Sequence, residues 1–430
     1  MPGTIRNIFL VRDLRNKVLF TLLMIGVYQL GANIPVPGVS FTKIETLAKT
    51  SNSGLLGFLN LFSGGALARA AVLGLGIMPY ITASIIVQLL GTVIPKFAEW
   101  REQGAVGQRK LTQATRYLTV ALALMQSSGI VFLLHSGQLF SSSATTSTDL
   151  IPDFSAPHVL FIILTLTAGT AFVMWLGENI TQRGIGQGMS ILIFSNVVAT
   201  IPLDLDYIKE SKHAAGVVII ILVWALLLVA IVTVELGQRR IPVTFARRVQ
   251  GRRMYGGQST YIPLKVNQAG VIPIIFASSL LYIPVLLSSV LPWAGVHNWV
   301  TNNLLSPTNG VYLILYGLFI VVFTFFYVQV QFDPYQQADT IRKQGGYIPG
   351  IRPGAPTEAY LSHILNRITL AGAFFLAAVA LIPSAILAAW HIQGIPFFGT
   401  TLLISVGVAL ETNKQIDSQL TMRNYEGFLR

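Results

Sequence analysis

The side chains able to do acid–base, nucleophilic or metal chemistry are few in this sequence, and none is spaced for it. There are 6 histidines, 17 carboxylates and no cysteine, which removes thiolate chemistry and disulfides. No Gly-x-x-x-x-Gly-Lys-Ser/Thr run cradles a phosphate, and neither His-Glu-x-x-His nor Gly-x-Ser-x-Gly occurs. His158 and His391 stand alone, without a partner at ligand spacing. Glu178, Glu235 and Glu411 fall at the ends of apolar runs, where solvated interfacial carboxylates are expected. The chemistry left is that of passage. Between Gly54 and Pro95 a glycine-broken apolar lead-in runs through Gly74, Gly76 and Pro79 into a helix of spanning length. Irregular backbone at membrane depth must be buried in protein or line a cavity, because its polar groups find no water in hydrocarbon. In that helix Ile81 and Ile85 stack at i and i+4, while Ser84, Gln88 and Thr92 stack on another face. Aliphatic side chains can close a wide conduit by dewetting and van der Waals contact. The same spacings also fit plain helix packing and interhelical hydrogen bonds, so both readings stand at this level.

The elements that carry these residues are membrane spans. The chain is 53% hydrophobic and 11% charged with positive mean hydropathy, whereas soluble proteins carry about 25% charged residues. This is a polytopic membrane protein. Arg6, Arg12, Arg15 and Lys17 precede an apolar stretch that reaches Ile34 without a small-residue cleavage site, so it reads as a retained first span. Runs near the length that crosses about 30 Å of hydrocarbon lie at 18–34, 73–94, 117–134, 159–176, 187–201, 214–236, 269–290, 311–331, 364–389 and 396–410. The middle third of each is free of Asp, Glu, Lys and Arg, which argues against ion-coupled transport and proton pumping.

All but five of the 29 Lys and Arg (Lys43, Lys49, Arg69, Lys209 and Lys212) fall on one side of this topology. That side is the cytosol, and both termini face it. The bias accounts for most of the net charge of +12, so basicity is weak evidence for nucleic acid. Outside, 136–147 is a Ser/Thr-rich loop without chemistry. Two large cytosolic segments stand out. Residues 237–268 hold alternating stretches at 241–245 and 261–266 around a basic turn, which predicts a protruding hairpin. Residues 332–362 contain Gly345-Gly346, Pro349-Gly350 and Pro353-Gly354, a loop with several rigid turns that would dock something.

The runs GLGIMPYITASIIVQLL (74–90), RGIGQGMSILIF (183–194), GQRRIPVTFARRVQGRRMYGGQSTYIPLKVNQAGVIPIIFASSL (237–280) and DPYQQADTIRKQGGYIPGIRPG (333–354) closely resemble the SecY family, the pore-forming subunits of bacterial protein-conducting channels. The resemblance extends from about Val11 to the tail. It implies an all-α protein of ten transmembrane helices in two inverted five-helix halves around a central pore, with a short plug helix near 59–69 and protruding cytosolic loops. The halves would be 1–202 and 203–413, followed by a cytosolic tail at 414–430; no internal repeat announces them. By motif, the pore ring would be Ile81, Ile85, Ile193, Val197, Ile275 and Ile404, with Val197 a departure from the commoner isoleucine and Ser405 and Gly407 thinning the tenth span. The plug would hold Asn60, Leu61, Phe62, Ser63, Gly64, Gly65, Ala66, Leu67 and Arg69. A lateral gate would be lined by Ser84, Gln88, Thr92, Gln126, Ser278 and Ser279.

The resemblance further implies docking of the SecA ATPase or a ribosome through Arg239, Arg240, Arg247, Arg248 and Arg352, where basic side chains suit an rRNA backbone or an acidic protein face. Partner subunits SecE and SecG, signal peptides, nascent chains and membrane lipid complete the expected partners. No cofactor, metal or catalytic residue is expected. The expected function is a non-enzymatic channel in the bacterial cytoplasmic membrane, conducting unfolded polypeptides across it and releasing transmembrane segments sideways. A small-solute transporter would need a midplane charge, an intramembrane enzyme converging polar groups, and a ribosome-binding scaffold would have no use for the broken lead-in.

Overall fold

The computed structural model describes residues 11–40, 63–135, 151, 154–210, 214–245, 248–250, 253–255, 259–290, 294–304, 309–389 and 398–428. The helices are α1 (Arg12–Gly31), α2 (Met78–Val93), α3 (Pro95–Glu102), α4 (Ala105–His135), α5 (Ala156–Arg183), α6 (Gly188–Glu210) and α7 (Ala214–Leu236), then α8 (Ile272–Val290), α9 (Ala294–Leu304), α10 (Gly310–Gln331), α11 (Pro334–Lys343), α12 (Ala355–Ala389) and α13 (Phe398–Phe428). Each of the ten expected runs falls on one of them. Among the described residues, Ala105–His135, Ala156–Arg183, Gly310–Lys343 and Ala355–Ile386 are long and apolar enough to cross a membrane, and Met78–Val93 with Pro95–Arg101 makes a bent fifth.

Helix ends follow local chemistry. Ile94 is extended, as a residue before proline prefers, and the chain bends by 104° between α2 and α3. Asp333 caps α11 by accepting from the Tyr335 amide at 2.9 Å, with Pro334 in the first turn, where its missing N–H costs nothing. Several expected boundaries move. The run 73–94 becomes helical only at Met78, because 72–77 is spent in turns with Gly76 at φ 58°. The ninth run begins at Ala355, nine residues before the expected 364, with Leu361 and Ile364 packed against residues of the strands. The tail expected at 414–430 continues the tenth helix to Phe428.

The apolar pattern is partly inverted, as lipid solvation requires. Leu160, Phe161, Leu164 and Trp175 of α5 and Leu222, Leu226 and Val229 of α7 are each more than half exposed, a surface no soluble protein leaves uncovered. Inside, one apolar cluster joins α1, α2, α4 to α10, α12 and α13. Glu178, expected to be solvated, is instead 14% exposed and held by Arg116, whose Nε donates to Glu178 Oε1 at 2.8 Å and whose Nη2 bonds Oε2. Lys17 near the start of α1 donates to Gln419 near the end of α13 at 3.3 Å, which places both at one side of the molecule.

The predicted hairpin forms and extends further than its alternation indicated. β1 (Gln238–Phe245) pairs antiparallel with β4 (Ser259–Lys265) from Gln238↔Lys265 to Thr244↔Ser259, and β2 (Arg248–Gln250) with β3 (Arg253–Tyr255) beyond it. The second loop is not only turns: β5 (Gly346–Tyr347) adds to β1 at Thr244↔Tyr347, giving the order β4-β1-β5. Ile241, Val243 and Leu264 from the first loop pack with Ile341, Ile348, Leu361 and Ile364 from the second and from α12. The two loops therefore share one small core.

Candidate functional site

Four helices bring aliphatic side chains to one cavity of about 350 Å³. Ile81 and Ile85 come from α2, Ile193 from α6, Ile275 from α8 and Ile404 from α13, so five of the six aliphatic residues singled out in the sequence line a common space. Ile85, Ile193, Ile275 and Ile404 are each at most 6% exposed. Val197 is the sixth, and it does not line this space; it is fully buried one turn further along α6. Gly407 does line it, so the thinned face of the tenth span widens the chamber.

The cavity is graded. Along α6, Gln187 and Ser190 precede Ile193, and along α13 Ile404 is followed by Glu411 and Lys414, all on the lining. Glu235 from the end of α7 and Lys265 from the end of β4 join the same polar wall. Charged and polar side chains line one part of the chamber and aliphatic side chains the rest, an apolar surface that water leaves readily.

Of the polar stripe, Ser84 and Gln88 line the cavity, and Tyr327 of α10 lines it with them. The chamber thus has residues of α2 and α10 on one wall. Tyr327 was not legible as a lining residue, because a tyrosine inside an apolar run reads as packing. Thr92 is exposed and donates to Leu89 O of its own helix at 2.7 Å. Gln126 is half-buried on α4 and outside the lining. Ser278 and Ser279 are buried, and both donate back to Ile275 O at 2.9 and 2.7 Å. The stripe is thus two lining residues with several self-satisfied hydroxyls.

On the far side of the aliphatic residues lies the expected plug. Asn60, Leu61 and Phe62 lie outside the described residues. Ser63 is helical, and Gly64 to Arg69 form consecutive turns, with Gly64 and Gly65 at φ 64° and 80°. Ser63 and Ala66 are fully buried and Leu67 is 2% exposed, so this segment is seated inside the helices. A Cβ on Gly64 would stand 2.7 Å from Asn196 Oδ1, and Asn196 Nδ2 donates to the buried Tyr28 hydroxyl at 2.8 Å. The segment's end is tied down: Val36 N donates to Ala70 O and Val72 N to Ile34 O, both at 2.8 Å, and Arg69 bonds the Asn33 side chain.

On the three-stranded sheet Arg239 and Arg240 are exposed, and Arg240 lies over the Tyr261 ring at 4.9 Å. Arg352 is exposed on the rigid turn, where its carbonyl accepts from Thr357 Oγ1 at 2.9 Å. Arg248 lies on β2, and Arg247 is outside the described residues. Glu235 differs from its expected solvated state: it is half-buried and accepts from Asn267 Nδ2 at 2.6 Å.

Known proteins share this arrangement. Residues 71–413 match the SecY family model. The chain is 52% identical to the protein translocase subunit SecY of Streptomyces coelicolor, covering 98% of each, and 49% identical to that of Mycobacterium bovis, covering 97% of each. Among solved structures it is similar to that of a protein-conducting channel (TM-score 0.60, 18% identity, 94% of this chain and 91% of that one). It is equally similar to Sec61 in the canine ribosome-channel complex from the endoplasmic reticulum (TM-score 0.60, 18% identity, the same shares).

Proposed function

The chain belongs to the SecY family, and we propose that it is the channel-forming subunit of a protein translocase, in which five isoleucines make the seal. The observation that carries this reading is the convergence of Ile81, Ile85, Ile193, Ile275 and Ile404 beneath a polar-walled chamber. Such a ring yields to a polypeptide of any sequence and closes behind it, since it offers no polar group for the cargo to bind. Buried beyond it, Ser63 to Arg69 act as the plug, and the backbone bonds at 34–36 and 70–72 keep the plug attached when it leaves its seat. Gln88 of α2 and Tyr327 of α10, both on the chamber wall, flank the lateral gate. A hydrophobic signal segment that binds the parted helices better than the closed ones shifts the population toward open.

The energy for passage comes from outside, from SecA or a translating ribosome docked on the sheet through Arg239, Arg240, Arg247, Arg248 and Arg352. SecE and SecG complete the complex, and the two halves divide near residue 202. The chain sits in a bacterial cytoplasmic membrane with both termini in the cytosol, consistent with the distribution of Lys and Arg.

Proteoliposomes holding the chain with SecE test this. Deletion of residues 60–68, with SecA and ATP supplied, is expected to leave preprotein transport in place and to raise resting ion conductance. A complex that carries no polypeptide but moves a small solute down an ion gradient would overturn the reading.

A further inference from the structure

The cytosolic sheet and the helix that carries Ile275 meet in the stretch 266–270, and its geometry is that of a rigid joint. The β1–β4 ladder continues one residue past Gln238↔Lys265, because Val266 N donates to Gly237 O at 3.0 Å. The next contact is between side chains: Asn267 Nδ2 donates to Glu235 Oε1 at 2.6 Å. Asn267 is 3% exposed and bonds in the other direction as well, its Oδ1 accepting from Gly270 N at 3.0 Å and its Nδ2 reaching Gly270 O at 3.3 Å. Gly270, at φ 62°, turns the chain into α8. One amide thus holds the end of α7 and the turn that launches α8.

The joint has no slack on its other sides. Ala269 packs with Tyr327 and Leu365. A Cβ on Gly372 would stand 2.6 Å from Val266 O, so the backbone of α12 lies against the joint. Tyr327 lines the chamber together with Gln88 of α2. A tilt of the sheet therefore reaches α8 and the α10 wall of the chamber through packed, hydrogen-bonded groups, the kind of contiguous contact that coupling between sites requires.

We infer that Asn267, clamped to Glu235, is the positioning residue through which a partner docked on the cytosolic sheet moves α8 and opens the gate. The inference rests on the channel reading and adds to it where docking is converted into opening. A carboxylate at position 267 would still accept from Gly270 N but would face Glu235 with like charge and no donor. Glu235→Gln supplies a donor again. Asn267→Asp should therefore break the clamp, and Asn267→Asp with Glu235→Gln should restore it with donor and acceptor exchanged.

The test uses the complex with SecE in proteoliposomes, with spin labels at Val93→Cys on α2 and Val322→Cys on α10, clean sites in a chain without cysteine. Asn267→Asp is expected to bind SecA as the parent does. It should lose the label-separation change on adding SecA and ATP, and transport about tenfold less preprotein, the order expected from losing one hydrogen bond to a charged group. The double variant should recover both the movement and the transport, which loss of a merely structural residue would not allow. Parental movement and transport in Asn267→Asp would overturn the inference, as would a double variant no better than the single. If position 267 does not tolerate change, Glu235→Ala removes the acceptor and leaves the Gly270 turn intact. Unchanged movement there also overturns the inference. A parental complex that transports no polypeptide refutes the channel reading itself, which separates the two failures.

Discussion

Ser84, Gln88 and Thr92 lie on one helical stripe by spacing, yet Ser84 and Gln88 line the chamber while Thr92 is exposed and bonds its own Leu89 carbonyl. Hydroxyls satisfy themselves within a helix at i−3 or i−4. Gln88 shares the chamber wall with Tyr327 of α10. Gln88→Leu should let an apolar signal segment bind the parted helices better and admit preproteins with weakened signal segments about tenfold faster, measured as SecA-driven uptake into vesicles. Uptake that keeps its full dependence on the signal segment would remove Gln88 from the gate. Val197 teaches the complementary lesson. It shares a helix and an apolar type with Ile193, and one turn along α6 puts it in solid packing away from the chamber.

Elements show how much local code carried. Alternation marked both strands of the hairpin, and proline and glycine marked the turns of the second loop. The pairing of Thr244 with Tyr347 was invisible, because a two-residue strand has no period and its partner lies about a hundred positions away. Yet it is this pairing, with the shared cluster around Leu264 and Ile348, that makes one packed unit of two loops. Leu264 is fully buried, and Leu264→Ala should cost about 2–5 kcal/mol of local stability. The effect should appear at a distance: protease cleavage of the 343–354 turn should quicken, and affinity for the docked partner should fall although Leu264 itself is inaccessible. Cleavage confined to the first loop would show the loops to be independent.

At the scale of the whole molecule, an outward belt of Leu, Phe and Trp, a continuous inner apolar cluster and a polar-walled chamber form three concentric environments. In the proposed channel the aliphatic residues seal the chamber, and sideways release requires α2 and α10 to part. Cysteines at Gln88 and Tyr327, joined by a short bismaleimide, should stop transport of preproteins and leave docking on the sheet unchanged. Transport that proceeds through the joined complex would place the opening elsewhere.

The sequence by itself determined the class and the apolar runs: low charge with long apolar runs demands a bilayer, and glycines with prolines mark where helices cannot continue. These are properties of a residue and its near neighbours, and solvent reads them locally. Which aliphatic side chains share a chamber, that Glu178 and Glu235 are held by Arg116 and Asn267, and that Gly64 is seated against Asn196 were decided only by the tertiary structure. The reason is physical. Each of these depends on the rotation and depth of one helix against another, which is set by packing summed over the whole interface, and no short window of sequence contains that sum.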